Sequence, residues 1–267
     1  MLRPPVPCKR DFPHTSPALI LTPLNPAAAL AAHSAFEWLA VAVGVQWYRR
    51  SIRGSTPTIR AKQRLIVALG AIAGGVIGSK IAFFLYDPHA LRSLTFSFGA
   101  LIGGQSVVGG LLGGLSGVEI AKRIAGVHAS TGDAFVGPIL LGIVIGRCGC
   151  FLAGLNDATY GKPTTLPWGV DFGDGITRHP TQVYDQVFAL ILLAALRWAR
   201  PALSRVPGLQ FKLLLSAYLL WRLCIDAFKP MAFVYPGGLS GLQLLCLFGL
   251  ILYLPFVFRD LLRWSRA

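Results

Sequence analysis

Arg147 lies within the apolar run PILLGIVIGRCGCFLAG, residues 138–154, where a cation costs about 2.5–3.5 kcal/mol at the centre of a membrane helix unless it pairs or binds an anion. A second charged group stands in SAYLLWRLCIDAFKP, where Tyr218, Arg222 and Asp226 are four residues apart and so share one helical face. Arg222 and Asp226 can pair locally as a structural staple. Two guanidinium groups set among apolar residues can instead hold the phosphate of a phospholipid, since the planar fork matches phosphate oxygens. The third group is RHPTQVYDQ, residues 178–186. Pro180 fits a first helical position, beside an N-terminus that favours anions. His179, with an ordinary pKa near neutrality, can act as a base. Arg178, Gln182 and Tyr184 are the substrate contacts expected from this segment, whose plainer reading is a helix-start signal. Lys80 and Glu37 are further candidates for substrate contact, or a snorkelling lysine and its counter-charge.

These residues need membrane helices to position them. The chain is 54% apolar and 13% charged, and its mean hydropathy is +0.60. Runs near the roughly 20 residues that cross a hydrocarbon core recur throughout. The expected fold is an all-α integral membrane protein with seven spans, near residues 27–48, 64–86, 97–118, 134–154, 183–199, 209–228 and 238–258. Lys and Arg concentrate in alternate loops and in the tail, which places the N-terminus outside and the C-terminus in the cytoplasm. Arg3, Lys9 and Arg10 run against that pattern. The Pro-rich opening residues lack the apolar core of a cleavable signal peptide, so the first span reads as a retained helix. The division is an N-terminal extracytoplasmic segment over 1–26, one membrane domain over 27–260 with an external loop over 156–182, and a cytoplasmic tail over 261–267.

The net charge of +14 sits in the cytoplasmic loops, where anionic lipid headgroups rather than nucleic acid would meet it. Cys8, Cys148, Cys150, Cys224 and Cys246 show no paired CxxC spacing and read as small core residues. A metal held by Cys148, Cys150 and His179 lacks a second ligand pair, so neither metal nor cofactor is expected. Gly70, Gly74 and Gly78, like Gly109, Gly113 and Gly117, recur every four residues. That spacing lets helix backbones approach closely; the alternative is that glycines such as Gly109 and Gly110 leave room for a lipid or expose backbone donors. The run GGQSVVGGLLGG lacks the Lys-Ser/Thr ending of a nucleotide loop. No internal repeat supports a transporter.

The motifs GRCGCF (146–151), YGKP (160–163) with LPWG (166–169), RHPTQVYD (178–185) and WRLCIDAF (221–228) resemble those of the prolipoprotein diacylglyceryl transferases. The resemblance runs in order from about residue 30 to the last span. It implies seven spans with an external N-terminus in the bacterial cytoplasmic (inner) membrane. It also implies transfer of diacylglyceryl from phosphatidylglycerol to the lipobox cysteine thiol of a preprolipoprotein signal peptide at the outer face. Glycerol phosphate leaves, and no metal or soluble cofactor takes part. By motif position Arg147 matches the essential arginine of GRxGNF, and Arg222 the arginine four residues before an acid. Asp226 replaces the usual Glu, and Tyr218 keeps its place. Two positions depart: Val108 stands where the family has the His of HGGL, and Cys150 where it has the Asn of GRxGNF. Glu37 falls near a family Tyr. Glu37, Lys80 and His179 are the groups available to replace the missing base. The alternatives are a related lipid-modifying enzyme with another acceptor and a phospholipid-binding or translocating membrane protein.

Overall fold

The computed structural model describes residues 19–52, 59–92, 106–157 and 159–266. Arg3, Cys8, Lys9, Arg10, Arg53 and residues 97–105 of the expected third span lie outside them. Among the described residues eight α-helices run in order: α1 (Pro26–Ile52), α2 (Ala61–Tyr86), the short α3 (Pro88–Arg92), α4 (Val107–Ala125), α5 (Val136–Ala153), α6 (Thr181–Leu203), α7 (Leu209–Ile225) and α8 (Gly241–Ser265). Five of them, α1, α2, α5 with its flanking turns, α6 and α8, are long and apolar enough to cross a membrane. The other two long helices, α4 and α7, have 19 and 17 residues. Large apolar side chains such as Trp38, Ile72, Ile191, Trp198 and Ile251 are exposed on the helix surfaces, as expected where lipid replaces water as solvent.

Local chemistry sets the helix ends, and it shifts two expected boundaries. The expected span over 97–118 corresponds to α4, which starts only at Val107. Ser106 is its extended N-cap, with its hydroxyl accepting from Gly109 N, and the helix continues to Gly126, whose φ of 65° terminates it. A hydroxyl at that position satisfies a helix-start N–H, and a left-handed glycine ends the ladder. Pro180 is the N-cap of α6, with φ −77° and ψ 69°, rather than its first helical residue. Ser240 caps α8 through a reciprocal box with Gln243.

The glycine pattern organises the most extensive helix contact, that of α2 on α4. A Cβ on Gly74 would overlap the carbonyl oxygen of Gly113, and one on Gly113 would overlap that of Gly74; Gly70 and Gly117, and Gly78 and Gly109, face each other in the same way. The backbones therefore touch, with no side chain between them. α1 packs on α5, and Gly149 admits Phe36 and the backbone of His33 there.

The loop after α5 is folded rather than plain. It adds a small sheet that an all-α expectation omits: β1 (Leu19–Ile20) pairs in parallel with β2 (Val170–Asp171), which pairs antiparallel with β3 (Thr177–Arg178). Asp171 Oδ1 accepts from the backbone N–H of Gly173, Asp174 and Gly175, an Asx turn that competes with longer strands. Gly173 and Gly175, with φ 95° and 77°, occupy the left-handed region that only glycine adopts cheaply.

Candidate active site

α5 carries Arg147 to its last turns, and α6 carries Asp185 in its second turn. Both are buried. Arg147 Nε donates to Asp185 Oδ2 at 2.9 Å, so the cation that the apolar run makes costly is held by a carboxylate on another helix. Asp185 collects two more donors: Trp221 Nε1 at 2.8 Å and Lys229 Nζ at 3.2 Å. Phe188 stacks on Trp221 with centroids 4.6 Å apart, which fixes the direction of the indole N–H.

The second cluster continues the first. Arg222 Nη2 donates to Asp226 Oδ1 at 2.9 Å, and Ser240 Oγ donates to Asp226 Oδ2. Tyr218 is buried one turn before Arg222. Both guanidinium groups lie within electrostatic reach of Asp185 and of Tyr218, so α5 and α7 direct their arginines to one region. Arg222 Nε is buried and makes no hydrogen bond. Burial, then Arg222 and Arg147, push the Lys229 ammonium down to about 7; it lies beyond α7 and outside the spanning helices. With Lys229 protonated, three cations face two carboxylates. That balance suits one anion.

The remaining residues singled out in the sequence divide between this region and its surroundings. His179 is half-buried outside the spans. Its Nδ1 lies 3.3 Å from Tyr184 Oη, its ring meets Phe228 edge-on at 5.2 Å, and burial lowers its pKa below 6.5. The imidazole is therefore neutral at pH 7 and able to accept a proton. Tyr184 Oη accepts from Trp168 Nε1 at 2.8 Å. Gln182 is fully buried, donates to Thr159 Oγ1 at 3.3 Å, and leaves its Oε1 unpaired. Arg178 is committed to the loop: its fork meets Asp174 at 2.6 and 2.7 Å, and its guanidinium lies 5.1 Å from the Tyr160 ring centroid. Burial opposes ionisation of Asp174, but the hydrogen bonds and charge of Arg178 outweigh it and hold the carboxyl below its usual range.

Glu37 is bonded to His33 Nε2 at 3.1 Å within α1, while Lys80 on α2 stands over the Phe83 ring at 5.8 Å. The backbone donors of Gly109 and Gly110 are already taken by the Ser106 hydroxyl and carbonyl. Val108 is buried in the core. Cys150 is buried, and its sulfur accepts from Arg147 Nη1 at 3.7 Å. His33, Asp157, Asp185, Trp221, Lys229 and Ser240 complete the region, and the residue patterns had not singled them out as site residues. Asp185 was present in RHPTQVYD, where its helix-start setting concealed its cross-bundle role.

A mostly helical chain, five of whose helices are long and apolar enough to cross a membrane, with Arg147, Asp185, Tyr218 and Asp226 buried between them, has the make-up of a polytopic membrane protein. The chain belongs to the prolipoprotein diacylglyceryl transferase family, whose model matches residues 20–259. It is similar to a phosphatidylglycerol–prolipoprotein diacylglyceryl transferase of Geobacter sulfurreducens, at 34% identity over 173 residues, covering 61% of this chain and 62% of that protein. The enzyme of the same name from Nitratidesulfovibrio vulgaris strain DP4 is 31% identical over 212 residues, covering 75% of this chain and 80% of that protein. The one from Rhodospirillum rubrum is 31% identical over 248 residues, with 84% and 85% covered. The match to the Geobacter protein spans just under two thirds of its length.

Proposed function

We propose that this chain transfers diacylglyceryl from phosphatidylglycerol to the lipobox cysteine thiol of a preprolipoprotein signal peptide in the bacterial inner membrane. The seven long helices span, the N-terminus lies outside, the C-terminus is cytoplasmic, and the site opens to the external face. The observation that carries the reading is the convergence of Arg147 and Arg222 on one region around Asp185 and Tyr218, whose charge, with Lys229 protonated, is complemented by a single anion. Arg147 and Arg222 hold the phosphodiester. Asp185 orients Arg147, Asp226 and Tyr218 orient Arg222, and the folded 156–182 loop admits the peptide.

The chemistry asks for a thiolate, an in-line approach to the glyceryl carbon, and stabilisation of charge on the departing phosphate. The thiolate sulfur forms a bond to that carbon as the carbon–oxygen bond breaks, and glycerol phosphate leaves with the electron pair. Preorganised guanidinium groups in a water-poor site stabilise the growing charge without reorganising. At the opposite end of α1 and α6, a cavity of about 420 Å³ lined by Trp47, Arg64, Arg197 and Arg200 matches the cytoplasmic leaflet, where basic residues meet anionic headgroups.

The test uses purified full chain, phosphatidylglycerol vesicles and a lipobox peptide. Wild type is expected to give a peptide heavier by one diacylglyceryl group, and Arg147→Ala or Arg222→Ala to lose at least about 100-fold in rate, the scale of one lost charge-stabilising donor. Donor turnover with the group delivered to another acceptor would support the related lipid-modifying enzyme. Movement of lipid between leaflets without a product would support a translocator. Either result overturns the proposal.

A further inference from the structure

We infer that the groove between α1 and α6, at the end of the bundle remote from Arg147, binds one anionic phospholipid, with its phosphate among Arg64, Arg197 and Arg200 and an acyl chain along α1. This lipid is held rather than turned over, and the site stands whether or not the chain transfers diacylglyceryl. α1 and α6 both pack on α5, and a cavity of about 420 Å³ opens between them beside Val136 and Gly137, the first residues of α5. Arg147 lies in the last turns of that helix.

The walls of the cavity are built by side chains from three helices. A Cβ on Gly137 would overlap the indole of Trp47, so the missing side chain seats that ring against α5. Arg197 reaches from α6 to the same ring, with its guanidinium 5.3 Å from the centroid. Such a cation–π contact holds the guanidinium without using its N–H donors. Tyr48 stacks on Phe135 with centroids 4.7 Å apart, which fixes the wall beside Trp47. Arg64 Nη2 donates to the carbonyl oxygen of Ile59 at 3.4 Å, and that bond keeps the third guanidinium on the lining.

The charge of the cavity is one-sided. Arg50 joins Arg197 and Arg200 on the adjoining part of the groove. Among the described residues, none of Arg50, Arg64, Arg197 and Arg200 is ion-paired with a carboxylate. Asp133 is the one acid among the described lining residues. Its two oxygens accept the backbone N–H groups of Gly208 and Phe211 at 2.6 and 2.9 Å, so it is committed to the start of α7. Guanidinium forks without a carboxylate match the oxygens of a phosphate.

The apolar half of the groove selects a lipid over a free phosphate. The adjoining part, of about 570 Å³, follows α1 from Arg50 back through Trp47 and Val43 to Ala42. That is two turns, or about 12 Å at 1.5 Å per residue, from the basic end of the helix towards its middle. Leu193 and Leu196 line the α6 side. An inorganic anion would use the arginines and leave this path unfilled, whereas a phospholipid occupies both. Trp47 stands at the junction, where an indole suits the boundary between headgroup and hydrocarbon. Occupancy ties α1 to α6, the helix that carries Asp185.

Photo-crosslinking tests the site. Full-length protein in phosphatidylcholine vesicles is irradiated with a trace of phosphatidylglycerol that carries a diazirine near the head of one acyl chain, and the labelled peptides are mapped. Mapping on the sequence makes the outcome independent of which way the chain is inserted. Label is expected in residues 42–50 and 193–200, displaced by unlabelled phosphatidylglycerol but not by more phosphatidylcholine or by millimolar inorganic phosphate. Arg197→Gln and Arg200→Gln should each lower that labelling about fivefold, the worth of one arginine facing an anionic lipid. Arg123→Gln removes an exposed charge at the same end of the bundle, since Gln63 Nε2 at the start of α2 donates to the carbonyl oxygen of Ala125 at the end of α4, and should leave the labelling unchanged. Circular dichroism and a monodisperse elution profile confirm the fold of each variant, and the competition series needs wild type alone. No label in these two segments overturns the site. Displacement by phosphatidylcholine shows a merely apolar groove, displacement by phosphate shows a site for soluble anions, and an equal loss in Arg123→Gln shows diffuse surface charge; each overturns the proposal. Label near Arg147 reports the donor site separately, and its absence counts against the transferase reading while this site stands.

Discussion

Asp185→Ala is expected to destabilise the protein by about 3–5 kcal/mol, the usual cost of removing one partner from a buried ion pair. The carboxylate serves Arg147, Lys229 and the Trp221 indole together, so its loss strands two buried cations and a donor. The expected observation is a large fall in the melting temperature of detergent-solubilised protein, with little monodisperse material recovered. Arg147→Met combined with Asp185→Leu removes the Arg147–Asp185 pair and should recover part of the lost stability, because apolar residues of similar volume replace buried pairs at little cost, while Lys229 and Trp221 stay without their acceptor. Transfer activity should not return. Recovery of activity in the double variant would show that the Arg147–Asp185 pair is only a staple.

Gly74→Leu and Gly113→Leu should each cost upwards of about 3 kcal/mol, at or above the upper end of ordinary overpacking. At both positions the added atoms meet a carbonyl oxygen of the facing helix, which cannot rotate aside as a side chain can. α2 and α4 must separate, and their contact is the most extensive in the bundle. Gly142→Ala is the control, since a Cβ there meets nothing within 4 Å and alanine is the better helix former by about 1 kcal/mol. Proteolysis of the purified variants checks both: Gly74→Leu and Gly113→Leu should be cut far faster than wild type, and Gly142→Ala no faster.

The glycine contact was legible in the sequence because spacing alone encodes it: small residues every four positions lie on one face, and two such stripes have an obvious partner in each other. Arg147 was legible because its cost is a property of its own segment. The Arg222–Asp226 pair was legible because both residues lie on one helix, one turn apart. The partner of Arg147 was not. Asp185 lies on a different helix, and which turn of α6 faces which turn of α5 depends on interhelical register, which no local pattern carries. His33 escaped for the same reason, since one histidine near a helix start is ordinary until α5 places Cys150 beside it. The late start of α4 and the small sheet turn on single capping and Asx residues, Ser106 and Asp171, signals too short to outweigh a long apolar pattern.

The shared phosphate site is the centre of the account, and an internuclear distance tests it most directly. Solid-state NMR on protein with ¹⁵N-labelled arginine side chains, in bilayers containing phosphatidylglycerol, measures coupling between lipid ³¹P and guanidinium ¹⁵N. The account predicts strong dephasing of two arginine signals, with Arg147→Lys removing one and Arg222→Lys the other, at the ~3–4 Å separations of a guanidinium–phosphate contact, given the ~2.7–2.9 Å hydrogen bonds that hold it. Dephasing that survives both substitutions, or that involves only one of these arginines, would contradict it.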